Sequence, residues 1–356
     1  MAFHIPPVPH GSRAFPPSPQ GSVEFVRHES EVLRDNPLDD PSVREVAVYR
    51  PPAGKTEGKP LLVLLSGYTG TGALHFPRQA RYLQETLVDQ IERMVRSRAS
   101  GECTIVAPDA RTALGGSQYL NSTATGRYED YVIREIVPWA VERYHPSGIG
   151  ILGHSSGGFG ALALSMRHPG LFGGLLASGA DTAFEYGYLL DVPKAVRALR
   201  KAGGPEPFLA GLFHDPPAFM SPAHPSAAAL NMMAMASCYS PVPGSPGSFE
   251  LPFDWETGAI DQRVWERWLA WDPVRMAAVP EHQKALRALR TIQLGAGTSD
   301  EWGLDVGTHR LFTVLKGAGM EQVAERYYPA GHFDYWPLFL DDALPALVAS
   351  LALPSH

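Results

Sequence analysis

Cysteine is scarce: Cys103 and Cys238 are the only two in 356 residues. Two thiols cannot build a disulfide framework, and neither lies in a C-x-x-C or similar metal-binding spacing. Cys103 sits inside the apolar run Cys103-Thr104-Ile105-Val106-Ala107, the setting of a buried free thiol. Long hydrophobic runs are also missing. No apolar stretch approaches the about 18 residues that a spanning helix needs, so no membrane partner is expected. Positive charge is in deficit: 30 Lys and Arg against 37 Asp and Glu leave a net charge of −7. An acidic surface argues against nucleic acid or an anionic membrane as the main partner. The start, Met1-Ala-Phe-His-Ile-Pro-Pro, has neither the basic n-region nor the apolar h-region of a signal peptide, which makes a cytoplasmic protein the default expectation. There is no internal repeat.

What is present points to one large α/β domain. The hydrophobic fraction of 44% is enough for a sizeable core. Glycine (35) and proline (33) are abundant, so turns are many. Residues 1–20 carry six prolines and little periodic hydrophobicity, which reads as an extended arm ahead of a domain at 21–356. Whether the arm meets a neighbouring copy in a homo-oligomer is left open. Residues 44–49 alternate like a strand, and Leu61-Leu-Val-Leu-Leu65 is continuously apolar, as in a strand covered on both faces. Similar runs recur at 103–107, 149–152, 173–177 and 291–294. Amphipathic helical segments lie between and after them at 78–97, 127–144, 157–168, 305–318 and 336–352. This alternation predicts a mostly parallel, doubly wound sheet.

From about 181 to 280 the alternation stops. The stretch is rich in Pro, Met and Trp, including Met220, Met232, Met233, Met235, Trp255, Trp265, Trp268 and Trp271. It reads as a largely helical insertion over the ends of the strands. It is expected to supply an apolar, aromatic pocket to which methionine side chains adapt. The bland alternative is a second structural layer that never meets substrate.

The chemistry sits at residues 149–162, Ile-Gly-Ile-Leu-Gly-His-Ser-Ser-Gly-Gly-Phe-Gly-Ala-Leu. An apolar strand ends at Gly153, Gly153-His154-Ser155-Ser156-Gly157 matches G-x-S-x-G, and a helix of small residues follows. A nucleophile elbow needs this strand–turn–helix context, and its helix N-terminus favours developing negative charge. Of the two adjacent serines, only Ser155 has glycine two residues before and two after, so Ser155 is the candidate nucleophile. His154 reads as packing or pocket wall, its side chain pointing away. Gly115-Gly116-Ser117-Gln118-Tyr119 lacks the second glycine and is a decoy.

A serine needs a base, and the base an orienting acid. With this elbow the chain order is serine, acid, histidine. Asp300 lies in Gly295-Ala-Gly-Thr-Ser-Asp300-Glu-Trp, just beyond the strand at 291–295, on the same sheet edge as the elbow. Asp181, after the strand at 173–177, is the competitor; Asp305 and Asp334 are less well placed. Glu301 reads as a charge at a helix N-terminus. Three histidines follow Asp300: His309 falls in a helical pattern and His356 is terminal. His332, in Ala330-Gly331-His332-Phe333, sits in a loop between a strand-like stretch and the last helix, so it is the candidate base. The oxyanion donors are expected from the Ser156 backbone amide and from the Gly-rich loop Ser66-Gly67-Tyr68-Thr69-Gly70-Thr71-Gly72, with the Tyr68 amide as candidate. No Lys-Ser/Thr follows that loop, which excludes a P-loop.

Gly-His-Ser-Ser-Gly-Gly, Ser-Gly-Tyr-Thr-Gly, Gly-Thr-Ser-Asp-Glu and Ala-Gly-His-Phe together resemble the putative esterase family of α/β-hydrolases. That family includes esterase D (S-formylglutathione hydrolase), enterochelin esterase-like proteins and mycolyltransferases. The stretch from Ser30 through Asn36-Pro37 and Asp40-Pro41 to Arg44 resembles the enterochelin esterase-like branch, as do Val106-Ala-Pro-Asp-Ala-Arg111 and Gly116-Ser-Gln-Tyr-Leu-Asn121-Ser. The resemblance covers about residues 22–350. It implies the α/β-hydrolase fold, a triad of Ser155, Asp300 and His332, and an oxyanion hole of the Tyr68 and Ser156 amides. Two positions depart from it: Ser156 stands where many members have Met, and Ser66-Gly67 where many have His-Gly. The expected activity is hydrolysis of a small-molecule carboxylic ester through an acyl-serine, needing no metal or organic cofactor. An acyltransferase on the same triad, a serine peptidase and a non-catalytic binding protein are the alternatives.

Overall fold

Short runs of Val, Ile, Leu and Ala, punctuated by Gly and Pro, fold into eight strands of one sheet. In chain order they are β1 Ser22–Glu29, β2 Val43–Arg50, β3 Leu61–Leu65, β4 Thr104–Pro108, β5 Ile149–His154, β6 Gly174–Ser178, β7 Thr291–Gly297 and β8 Val323–Tyr328. The computed structural model describes residues 20–52, 56–79, 84–214 and 225–352. All of the Pro-rich arm except Gln20, together with Met220 and His356, lies outside the described residues. Across the sheet the order is β1-β2-β4-β3-β5-β6-β7-β8. β1 is antiparallel to β2 (Val26 opposite Val46) and β2 to β4 (Val48 opposite Val106). All later pairings are parallel, for example Leu64 with Leu152 and Leu176 with Gln293. The sheet is therefore mostly parallel and α/β, as expected. β1 was not among the expected strands. It is an edge strand with no fully buried position, so its apolar signal is weak.

The continuous apolar runs have a simple cause. Side chains alternate across a strand, so a strand covered on both faces must be apolar at every position. In β3, Leu61, Val63 and Leu65 enter the core on one face, while Leu62 and Leu64 enter the core on the other. Helices α1 (Leu87–Arg96) and α10 (Trp336–Ala352) cover the second face; α2 (Val137–Tyr144) and α3 (Ser156–Arg167) lie on the first. Helix α1 begins at Leu87, later than the 78–97 pattern implied, because Thr86 caps it. Its hydroxyl accepts the Asp89 amide at 3.1 Å, while Asp89 accepts the Thr86 amide at 3.0 Å.

Between β6 and β7 the chain leaves the sheet and is mostly helical. The larger helices are α4 (Val192–Ala202), α5 (Pro205–His214), α6 (Pro225–Tyr239), α7 (Gln262–Leu269) and α8 (Pro280–Arg287). A further helix, α9 (Leu304–Gly317), joins β7 to β8. Because β3, β5, β6, β7 and β8 run parallel, the loops after them open at one edge of the sheet, and the candidate site residues lie in those loops or, for Ser156, at the start of the helix that follows. Among the described residues, no helix is long and apolar enough to cross a membrane.

Candidate active site

The turn after β5 explains its glycines. A Cβ on Gly153 would lie 2.2 Å from the Gly157 carbonyl oxygen, and a Cβ on Gly157 would lie 2.1 Å from the Leu65 carbonyl oxygen. No side chain fits either position. Ser155 between them has φ 58° and ψ −127°, a strained conformation for a residue with a Cβ, costing about 1–3 kcal/mol. Neighbours hold it there: its amide donates to the Ser178 carbonyl at 2.9 Å, and its own carbonyl accepts from the Phe159 amide at 3.0 Å. Ser155 thus stands at the mouth of α3, facing a cavity.

Two strands away, the loop after β7 carries Asp300 and the loop after β8 carries His332. Their side chains are almost completely buried and meet, with His332 Nδ1 2.7 Å from Asp300 Oδ2. The other carboxylate oxygen accepts the amides of Trp302 (2.9 Å) and Leu304 (3.4 Å), which fixes the carboxylate plane. A proton on Nδ1 satisfies this pair and leaves a lone pair on Nε2. His332 and Ser155 line the same cavity. Ser155 Oγ takes no hydrogen bond among the described residues; such contacts often tighten only when substrate is bound.

The expectations for Glu301 and for the direction of His154 are corrected here. Asp181 does not pair with His332; its carboxylate is held by Gln118, Tyr188 and Ser156. Glu301 is not a helix charge: Oε2 accepts the His332 backbone amide at 2.9 Å and so anchors the histidine loop. His154 does not point away. Its ring centre is 4.4 Å from that of His332, and its Nδ1 is 3.2 Å from Ser178 Oγ. Burial holds the His154 imidazole well below its ordinary range, with His332 and His75 adding to the effect. His309 pairs with Glu325 on the exposed face of α9, away from the cavity.

The loop after β3 carries the second expected donor. The Tyr68 amide takes no partner among the described residues, and the Ser156 amide is the first of α3, where no helical acceptor exists. Both residues line the cavity. Tyr68 is anchored by its phenol, which donates to the Leu114 carbonyl at 2.8 Å. Gly115 and Gly116, dismissed on sequence as a decoy, are the shelf for that ring: a Cβ there would come within 2.8 and 3.1 Å of it. Tyr119 donates to the Ser66 carbonyl at 2.7 Å, and Ser66 Oγ lies 3.1 Å from His75 Nε2. The departure at Ser66 is thus accommodated by a histidine from the same loop. Burial pushes His75 down to about 4.

The cavity has a volume of about 610 Å³, within the range of small-molecule sites. The insertion supplies Phe184, Tyr188 and Leu230 to its wall, and the site loops supply Trp302 and Phe333. These residues of the insertion face the same cavity as Ser155. The methionines, however, do not line it: Met232, Met233 and Met235 are fully buried in the core with Trp268. Leu230 and Asn231 of α6 reach the cavity, whereas Met232, Met233 and Met235 of the same helix pack into the core and are not free to adapt to a ligand. Tyr188, Trp302 and Phe333 could not be found from sequence, since no local pattern distinguishes a pocket aromatic from a core one.

A sheet of this strand order, with a strained serine elbow at the end of a central strand and its loops gathered at one edge, defines the class: an α/β-hydrolase built as a serine hydrolase. The chain belongs to the Putative esterase family, which it matches over residues 41–347, and it is an esterase by that membership. Solved structures with a similar fold include a ferulic acid esterase (20% identity, TM-score 0.58, covering 94% of this chain and 100% of that one). An S-formylglutathione hydrolase from Agrobacterium tumefaciens is 18% identical with TM-score 0.55, covering 94% of this chain and 97% of the other. A fluorophosphonate-binding serine hydrolase of Staphylococcus aureus is 13% identical with TM-score 0.53, covering 94% and 99%. No curated protein sequence matches the chain.

Proposed function

We propose that the protein hydrolyses a small carboxylic ester through an acyl-enzyme on Ser155. His332 Nε2 takes the Ser155 proton as the oxygen attacks the carbonyl carbon. Asp300 keeps the Nδ1 proton in place and supports the positive charge that His332 then carries. The amides of Tyr68 and Ser156 stabilise the tetrahedral oxyanion, each contributing about 100–1,000-fold. The leaving alcohol departs with the His332 proton. Water then repeats the attack, giving its proton to His332, and free Ser155 is restored as the acid leaves. The observation that carries this reading is the buried 2.7 Å His332–Asp300 pair, whose His332 lines the cavity that Ser155 faces. The family membership supports the ester bond as the target.

The test is Ser155→Ala assayed on 4-nitrophenyl acetate, alongside intact-mass analysis after fluorophosphonate treatment. The expected result is a loss of kcat of at least about a thousandfold, a single adduct on Ser155 of the wild type, none on the variant, and an unchanged Tm. Wild-type turnover by the variant would refute the assignment.

A further inference from the structure

One partly buried acid on the cavity wall has no part in the mechanism above. Asp181 follows β6, one strand from the elbow, and lines the same cavity as Ser155. Its Oδ2 accepts three hydrogen bonds: from Gln118 Nε2 at 2.9 Å, Tyr188 OH at 3.0 Å and Ser156 Oγ at 3.2 Å. Its Oδ1 has no protein partner among the described residues, nor is it sealed away from the cavity. No Lys, Arg or His bridges the carboxylate among those residues. A carboxylate removed from water without a counter-ion is costly to keep, and unmet acceptor capacity adds to that cost. Burial raises its proton affinity most, while Gln118, Tyr188 and nearby His332 pull the other way.

The surroundings show what this arrangement demands of the chain. Gln118 and Tyr119 both have positive φ, 50° and 56°, although neither is glycine. Two consecutive left-handed residues store strain that must be offset elsewhere. That loop delivers the Gln118 amide to Asp181 Oδ2 and, at 2.8 Å, to Tyr239 OH. All three donors converge on one oxygen, so the carboxylate cannot rotate and its second oxygen is held towards the cavity.

We propose that Asp181 is the polar anchor of the ester pocket: its Oδ1 accepts a hydrogen bond from a hydroxyl or ammonium group carried by the substrate close to the scissile carbonyl. Closeness follows from Ser156, which bonds Asp181 through its side chain and offers its amide to the oxyanion. The proposal rests on the ester-hydrolase reading of Ser155.

The experiment compares kcat/KM for esters bearing a donor with their O-methyl ethers. Methyl lactate against methyl 2-methoxypropanoate probes the acyl side, ethylene glycol monoacetate against 2-methoxyethyl acetate probes the alcohol side, and alanine methyl ester probes the ammonium. On one side of the ester, wild type should favour the donor by at least about tenfold, the scale of a hydrogen bond to a charged acceptor. In Asp181→Asn the amide oxygen must stay on the three donors, which turns the NH₂ into the cavity; alcohol and ether oxygens both accept from it, so the preference for the donor should disappear. Equal rates for donor and ether on both sides in the wild type overturn the proposal whether or not the variant folds. A uniform loss of kcat in Asp181→Asn with unchanged preference also overturns it, since that marks a merely structural role. In either case 4-nitrophenyl acetate turnover that depends on Ser155 leaves the hydrolase reading standing. If no ester is turned over and fluorophosphonate leaves Ser155 unlabelled, both fall.

Discussion

Asp300→Asn tests the proposed machinery with the least steric change. The aspartate has two distinct jobs at its two oxygens. Oδ1 accepts the Trp302 amide at 2.9 Å and the Leu304 amide at 3.4 Å; Oδ2 faces His332 Nδ1 at 2.7 Å. Asparagine must keep its carbonyl oxygen on the backbone amides, because an NH₂ there would face two donors. Its NH₂ then faces His332 Nδ1 and donates to it. The imidazole is driven to the tautomer with its proton on Nε2, the atom that should receive the serine proton. The fold keeps its hydrogen-bond count, so Tm should move little. The base, however, is wrongly protonated, and nothing remains to support the imidazolium. For a triad so mis-set the expected loss in kcat is about 10⁴-fold, or roughly 5.4 kcal/mol of barrier, with KM little changed. The assay is a steady-state series on 4-nitrophenyl acetate at pH 7, with Tm measured in parallel. A variant that keeps more than a tenth of wild-type kcat would refute the role given to Asp300.

Gly157→Ala should be severe, because its Cβ would lie 2.1 Å from a backbone oxygen of β3 and the elbow would have to move. A 1 Å displacement of a reacting group costs about 100-fold in rate, so kcat should fall at least that far; near-normal activity would contradict the packing. His75 has a folded pKa of about 4 against an ordinary 6.5, so below pH 6.5 the unfolded chain takes up the proton first. Stability is therefore full above pH 6.5 and falls as pH drops towards 4, by roughly 2–3 kcal/mol between pH 7 and pH 4.5. His75→Gln should lose that part of the acid sensitivity in urea titrations; an identical slope would disprove it. Burial pushes both thiols up to about 12. Native protein should therefore be inert to Ellman's reagent and release two equivalents on unfolding, whereas fast native labelling would show an exposed cysteine.

How far the site could be read from sequence depended on the range of the interaction. Ser155 was legible because an elbow is a local object, its glycines demanded by contacts with Gly157 and Leu65 that any such turn makes. Asp300 and His332 were legible because each follows a recognisable strand and parallel strands end on one edge. Glu301 was misread, since its acceptor role depends on a loop 31 positions further along. The packing role of Gly115 and Gly116 was not legible for the same reason: nothing near them announces the Tyr68 ring. The methionines of α6 were assigned to the pocket because composition does not tell which residues of a helix meet a cavity: Leu230 does, and Met232, Met233 and Met235 do not.

By itself the sequence determined the buried strands of the sheet, their mostly parallel sense and the elbow, since these follow from hydrophobic periodicity and from steric limits that act within a few residues; the edge strand β1 escaped it. Tertiary structure alone decided which side chains form the cavity wall, that Glu301 anchors the histidine loop, and that Asp181 keeps one oxygen open to the cavity. Those outcomes depend on where loops after different strands come to rest in space, and distances of that kind carry no periodic signal along the chain.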